Sequence, residues 1–220
     1  MRVVIAGGHG QIALLLEREL VARGDSVAGL IRNPAHAPDL RAAGAEPVLC
    51  DLEQTTTGVL AAHLAGADAV VFAAGAGPGS GMARKDTVDR AAAGLLADAT
   101  EQAGIRRYLL VSSMGVDGAP WTGTDDVFAA YLAAKKAAED DLRGRPLDCV
   151  ILRPGRLTDD PPTGLVRLAP KVGRGAVSRA DTAAVLVALL DTPSAAGQTL
   201  ELIGGTVPVA QAVALAAQAG

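Results

Sequence analysis

Short apolar runs alternate with stretches of helical periodicity along almost the whole chain, and this alternation limits the fold more than any other feature. The runs fall at residues 3–6, 26–31, 46–50, 69–73, 108–112, 148–152 and 199–203. Helical patterns lie between them at 11–23, 55–65, 84–103, 125–143 and 179–191, with a short one at 38–43 and a last one at 209–218. A strand followed by a helix and then another strand needs a crossover connection. Repeating that unit gives a parallel sheet covered by helices on both faces. The expectation is a doubly wound α/β sheet in three layers, built as a single domain over residues 1–220. The least regular stretch, 156–178, contains "DDPPTG" and "PKVGRG". It reads as loop, either a pocket wall or lid over the strand ends or a plain surface connection.

Half of the 220 residues are apolar but only 2% are aromatic, so the core must be built from Ala, Val and Leu. Few aromatics, 20 basic against 24 acidic residues and no basic block argue against nucleic acid or an anionic membrane as partner. No apolar stretch approaches the length of a membrane span. The first strand follows Met1 and Arg2 directly, which leaves no room for a leader. Two cysteines, Cys50 and Cys149, and three scattered histidines suggest buried thiols in a reducing cytoplasm, with no metal cluster.

The first strand runs into "AGGHGQIA". Gly7, Gly8 and Gly10, with Ala13 three residues beyond, give the spacing Gly-x-x-Gly-x-x-Ala. Glycines allow a tight turn and a close approach of backbone amides to a pyrophosphate, which the helix N-terminus also attracts. The turn as a unit, Gly7, Gly8, His9 and Gly10 with Gln11 and Ile12, is assigned to a dinucleotide; His9 itself reads as a loop residue. The second strand ends "LIRNP" with no carboxylate. Arg32 there can pair with the 2′-phosphate of NADP, where NAD enzymes place an acid, or it is a solvated arginine. NADP(H) is therefore favoured over NAD(H). Asp51, at the end of "VLCDLE", is placed to accept from an adenine amino group or to cap a turn.

"YLAAKKAAED" puts Tyr131 and Lys135 four apart, on one face of a helix. A neighbouring ammonium favours an ionised phenol, which can then exchange a proton with a substrate oxygen while hydride moves at carbon. "LLVSSMG" ends the fifth strand with Ser112 and Ser113. A hydroxyl there can hold a substrate carbonyl, while for Ser112 a bond to backbone is the preferred reading.

Taken in order, "VVIAGGHGQIA", "LIRNP", "CDLE", "VVFAAGAG", "LLVSSMG", "YLAAKKAAEDDL", "VILRPGRL" and "VSRADTAAVLVALL" resemble the atypical branch of the short-chain dehydrogenase/reductase superfamily over nearly the whole chain. The resemblance implies a Rossmann fold with strand order 3-2-1-4-5-6-7. It matches Gly7, Gly10 and Ala13 to the phosphate turn, Arg32 to a 2′-phosphate contact, and Asp51 with Leu52 to adenine. It also matches Ala73, Ala74 and Gly75 to the loop passing the ribose, and Arg153, Pro154 and Gly155 to the segment beside the nicotinamide. Ser113, Tyr131 and Lys135 match catalytic positions. Asp89 in "TVDR" stands where related enzymes carry asparagine, placed to orient Lys135 or a water, or a surface charge.

Two classes of function follow. One is an NADP(H)-dependent oxidoreductase acting on a small carbonyl, quinone or flavin-like substrate, similar to small flavin and biliverdin reductases. The other is a dinucleotide-binding redox sensor without turnover. Epimerase or dehydratase chemistry is a further alternative, weakened because only 65 residues follow Gly155, too few for a nucleotide-sugar domain.

Overall fold

The structure is a computed structural model and describes residues 1–77, 81–118 and 125–218. Its centre is a nine-stranded sheet. In chain order the strands are β1 (Arg2–Ala6), β2 (Ser26–Ile31), β3 (Glu46–Leu49), β4 (Ala69–Phe72), β5 (Arg107–Val111), β6 (Asp148–Pro154), β7 (Arg156–Thr158), β8 (Leu165–Ala169), β9 (Ala176–Ser178), β10 (Thr199–Gly204) and β11 (Val207–Pro208). The helices are α1 (Gln11–Ala22), α2 (Ala37–Ala42), α3 (Thr57–Leu64), α4 (Met82–Arg84), α5 (Ala92–Gln102), α6 (Asp126–Arg143), α7 (Arg179–Leu190) and α8 (Val209–Gln218). The sheet order is β11-β8-β10-β6-β5-β4-β1-β2-β3, with β7 and β9 paired separately. Every pair from β3 to β10 is parallel. This is the expected doubly wound Rossmann sheet, and the order 3-2-1-4-5-6-7 is met with β10 as the seventh parallel strand.

Side chains alternate across the sheet because a strand's residues point to opposite faces in turn. Val3 and Ile5 join Leu16 and Leu20 of α1 with Leu186 and Leu189 of α7 on one side. Val4 and Ala6 join Leu60 of α3, Leu96 of α5 and Leu142 of α6 on the other. Small core residues let the helices pack closely with few aromatics; Phe72 and Tyr108 are both fully buried.

Two expectations are corrected. The stretch 156–178 is not simply loop, since it carries β7, β8 and β9. Val166 and Leu168 point into the core while Leu165 and Arg167 face out, so β8 extends the sheet antiparallel to β10. The carboxylate of Asp181, in the first turn of α7, accepts from the N–H groups of Thr163 and Gly164 and so ties this segment down. The helix expected over 84–103 is also interrupted: Lys85–Ala91 is π-helical and turns Lys85, Val88 and Asp89 inward.

Candidate nucleotide-binding and active site

Strand ends from β1 to β5 open on one edge of the sheet, and the glycine turn lies between β1 and α1. Gly7 has φ +81°, a left-handed conformation that L side chains rarely adopt. A Cβ there would lie 2.6 Å from the Ala74 Cα. Gly8 faces the interior, its N–H donating to the Leu30 carbonyl at 3.0 Å. Gly10 caps α1 without any side-chain hydrogen bond, so the first amides of α1 have no capping acceptor. Those amides and the bare turn form a cradle suited to a pyrophosphate.

A cleft of about 310 Å³ begins at this cradle. Gly7, His9, Gly10, Arg32, Asp51, Leu52, Ala73, Ala74 and Gly75 line it, which brings together nine of the positions the sequence assigned to cofactor. Gly8, Gln11, Ile12, Lys135 and Pro154 lie outside its lining: Gly8 and Ile12 pack inward, and Pro154 ends β6, where its carbonyl accepts from the Met114 amide at 3.1 Å. Asp51 both lines the cleft and accepts from the Glu53 N–H at 3.0 Å, so it shapes the turn that carries Glu53.

Sequence reading missed several groups here. His36 stacks on His9 with ring centroids 3.7 Å apart, and His9 in turn reaches Asp39 at 2.7 Å. Glu53 and Arg84 also line the cleft. The Thr87 hydroxyl and the two guanidiniums of Arg84 and Arg32 hold the Glu53 carboxyl below its ordinary range.

Beyond Ala74 lies the second part of the site. Lys135 is 3% exposed, and its ammonium donates to the carbonyls of Val111 at 3.1 Å and Ala74 at 3.5 Å. It pairs with Asp89 at 3.3 Å. Asp89 is fully buried and accepts from the Ala76 N–H, so it is no surface charge. Two ammonium groups approach the Tyr131 ring, Lys135 at 5.9 Å and Lys85 at 5.4 Å from its centroid. Lys85 was not among the sequence candidates; it is buried and donates to the Gly77 carbonyl. Lys135, Tyr131 and Asp89 are thus brought together. Ser113 gives its hydroxyl to the neighbouring Met114 carbonyl at 3.1 Å. Ser112 is bonded as expected of a non-catalytic serine, but to the Glu139 carboxylate at 2.5 Å rather than to backbone. Among the described residues no group of His, Cys, Asp and Glu could hold a metal ion, and no helix is long and apolar enough to cross a membrane.

A glycine cradle at a strand–helix turn, opening into a cleft at the strand ends of a doubly wound sheet, defines a dinucleotide-binding protein. The chain belongs to the NAD(P)H-binding family, which it matches over residues 7–193. It is 33% identical over 215 residues to a Bacillus subtilis protein named as an uncharacterized sugar epimerase, covering 97% of this chain and 99% of that one. A Bacillus halodurans structure described provisionally as an NAD-dependent epimerase/dehydratase superposes with TM-score 0.90 at 34% identity, covering 98% and 99% of the two chains. An anaerobillin reductase from Escherichia coli superposes with TM-score 0.77 at 28% identity over 93% of this chain and 97% of that one.

Proposed function

We propose that this chain is a cytoplasmic NADP(H)-dependent oxidoreductase that reduces or oxidises a small carbonyl, quinone or flavin-like compound. The observation that carries this is the placement of Lys135: its ammonium touches the carbonyl of Ala74, which lines the cleft, and lies 5.9 Å from the centre of the Tyr131 ring. Nucleotide cleft and proton-transfer pair are therefore contiguous. When bound, the dinucleotide supplies or accepts hydride at its nicotinamide. The Gly7–Gly10 turn and the first amides of α1 hold the pyrophosphate, and Arg32 pairs with the 2′-phosphate. Tyr131 gives a proton to, or takes one from, the substrate oxygen. Lys135 steadies the negative charge left on the phenol, and Asp89 fixes Lys135 in position. Ser113 turns from the Met114 carbonyl to hold the substrate oxygen.

Lys135 gives two of its three donors to the Val111 and Ala74 carbonyls and faces Asp89 as an ion pair without a hydrogen bond. The third donor is left for a ribose hydroxyl, while the charge itself acts on the phenol. The names of the Bacillus relatives favour epimerase chemistry as a second reading. Against it, the residues after Gly155 complete the sheet as β8, β10 and β11 instead of forming a separate sugar-binding lobe.

The test is Tyr131→Phe, assayed with NADPH and either menadione or flavin mononucleotide. Menadione turnover should fall by roughly 10²-fold or more while NADPH affinity stays unchanged. Unchanged turnover with menadione rejects the phenol as acid. If the native chain binds NADPH but turns over neither acceptor, the redox-sensor reading takes its place.

A further inference from the structure

Two arginines enter the cleft from different elements and share one carboxylate oxygen. Arg32 follows β2, and its Nη1 lies 3.0 Å from Glu53 Oε2. Arg84 ends α4, and its Nη2 lies 2.9 Å from the same oxygen. The second carboxylate oxygen accepts from the Thr87 hydroxyl at 2.7 Å. Glu53 is therefore held from three directions, with its own N–H fixed to Asp51. The guanidiniums come close enough for one phosphate group to touch both.

Their remaining donors are what make this more than a latch. A guanidinium has five N–H donors. Among the described residues, Arg32 and Arg84 each spend one of them on Glu53. Two positive groups against one carboxylate leave net positive charge on the cleft wall, and both arginines keep substantial solvent exposure. Without an added anion, Glu53 offsets the repulsion between the two guanidiniums and sets their spacing. A phosphate presents several oxygens to a planar fork and competes for the same N–H groups.

We infer that Arg84 is a second 2′-phosphate ligand alongside Arg32, and that Glu53 is the internal anion which the phosphate displaces from both. The inference rests on the NADP(H) reading above and adds to it a specificity device. Glu53 reduces the advantage of NADP over NAD, because the phosphate must displace a carboxylate already in place.

The experiment titrates the full chain with adenosine 2′,5′-bisphosphate and with 5′-AMP by calorimetry. These probes differ only in the 2′-phosphate, and neither depends on turnover. The native chain should bind the bisphosphate at least about tenfold more tightly, and Arg84→Gln should remove most of that ratio, as Arg32→Gln does. Glu53→Gln should raise the ratio by about threefold, since a like charge is taken away from the bound phosphate. Arg84→Lys, which keeps the charge but loses the fork, should give an intermediate ratio. Binding of 5′-AMP reports in each variant that the cleft is still folded.

A native ratio near one overturns the NADP(H) reading and this inference with it. A high ratio that falls in Arg32→Gln but not in Arg84→Gln leaves that reading standing and overturns the role of Arg84. A ratio that is unchanged or lowered in Glu53→Gln overturns displacement and makes Glu53 a fixed support for the arginines.

Discussion

Arg153 is 4% exposed near the end of a central strand, a place where an unpaired charge could not persist. Its guanidinium is shared between Glu139 on α6, at 2.9 and 2.5 Å, and Asp117 in the turn beyond β5, at 2.6 and 3.0 Å. Glu139, fully buried, also takes bonds from Ser112 and Arg143. Hydrogen bonds from Arg153 bring the Asp117 carboxyl down to about 2. Removing Arg153 leaves the buried Glu139 carboxylate with only Ser112 and the half-exposed Arg143 to offset its charge, whereas removing both exchanges a buried charged contact for an apolar one. Arg153→Leu should therefore cost about 3–5 kcal/mol in urea unfolding, and the double variant Arg153→Leu/Glu139→Leu should recover most of that loss. Equal losses in the single and double variants would show that α6 needs Glu139 for some other reason. Arg153 stood out in the sequence beside Pro154, but its partners did not. Asp117 and Glu139 lie in separate elements, and only the sheet order brings them to one strand end.

At the scale of elements, the turn from β1 to α1 was the most legible part of the chain, because its requirement is local. A left-handed backbone at Gly7 and the approach of Ala74 both demand glycine. Gly7→Ala should lower stability by about 2 kcal/mol and abolish measurable NADPH binding, the first read by urea titration and the second by quenching of protein fluorescence. An alanine variant that binds NADPH normally would remove the turn from the phosphate site. The seven parallel strands were also legible, as apolar runs. β8 was not, although "LVRLA" alternates, because it is flanked by paired prolines and by glycines that read as loop. The arginine pair was hidden for another reason. Arg84 and Glu53 sit in polar stretches that look like ordinary solvated surface, and a crossover brings them together across 31 residues of sequence.

Ionisation of one carboxyl links the whole molecule to pH. Glu17 lies on α1 in the same stripe as Ala13, Leu16 and Leu20, and the i, i+3, i+4, i+7 spacing marks it as inward-facing. It is fully buried, and neither carboxyl oxygen has a hydrogen-bond partner among the described residues. Its Oε1 occupies space left by two glycines, and would lie 2.6 Å from a Cβ at Gly29 and 3.1 Å from one at Gly8. Burial raises its pKa from an ordinary 4.5 to about 8, against a small opposing pull from Arg18. Below pH 4.5 the carboxyl is protonated in both folded and unfolded chains, and its effect on stability is constant. Between 4.5 and 8 the folded chain keeps a proton that the unfolded chain has released, so stability falls as pH rises, then levels off above 8. Glu17→Gln, neutral at every pH, lacks this slope. The variant's Tm relative to the native chain should therefore rise from pH 5 to pH 9, by about 5 °C or more. Parallel Tm curves for the two proteins across that range would mean that Glu17 is ionised in the fold. Because Glu17 lies against Gly8, ionisation puts an unpaired charge directly beneath the nucleotide turn. Raising the pH through about 8 should weaken 5′-AMP binding more in the native chain than in Glu17→Gln, since only the native chain then gains an unpaired charge under its cofactor cradle.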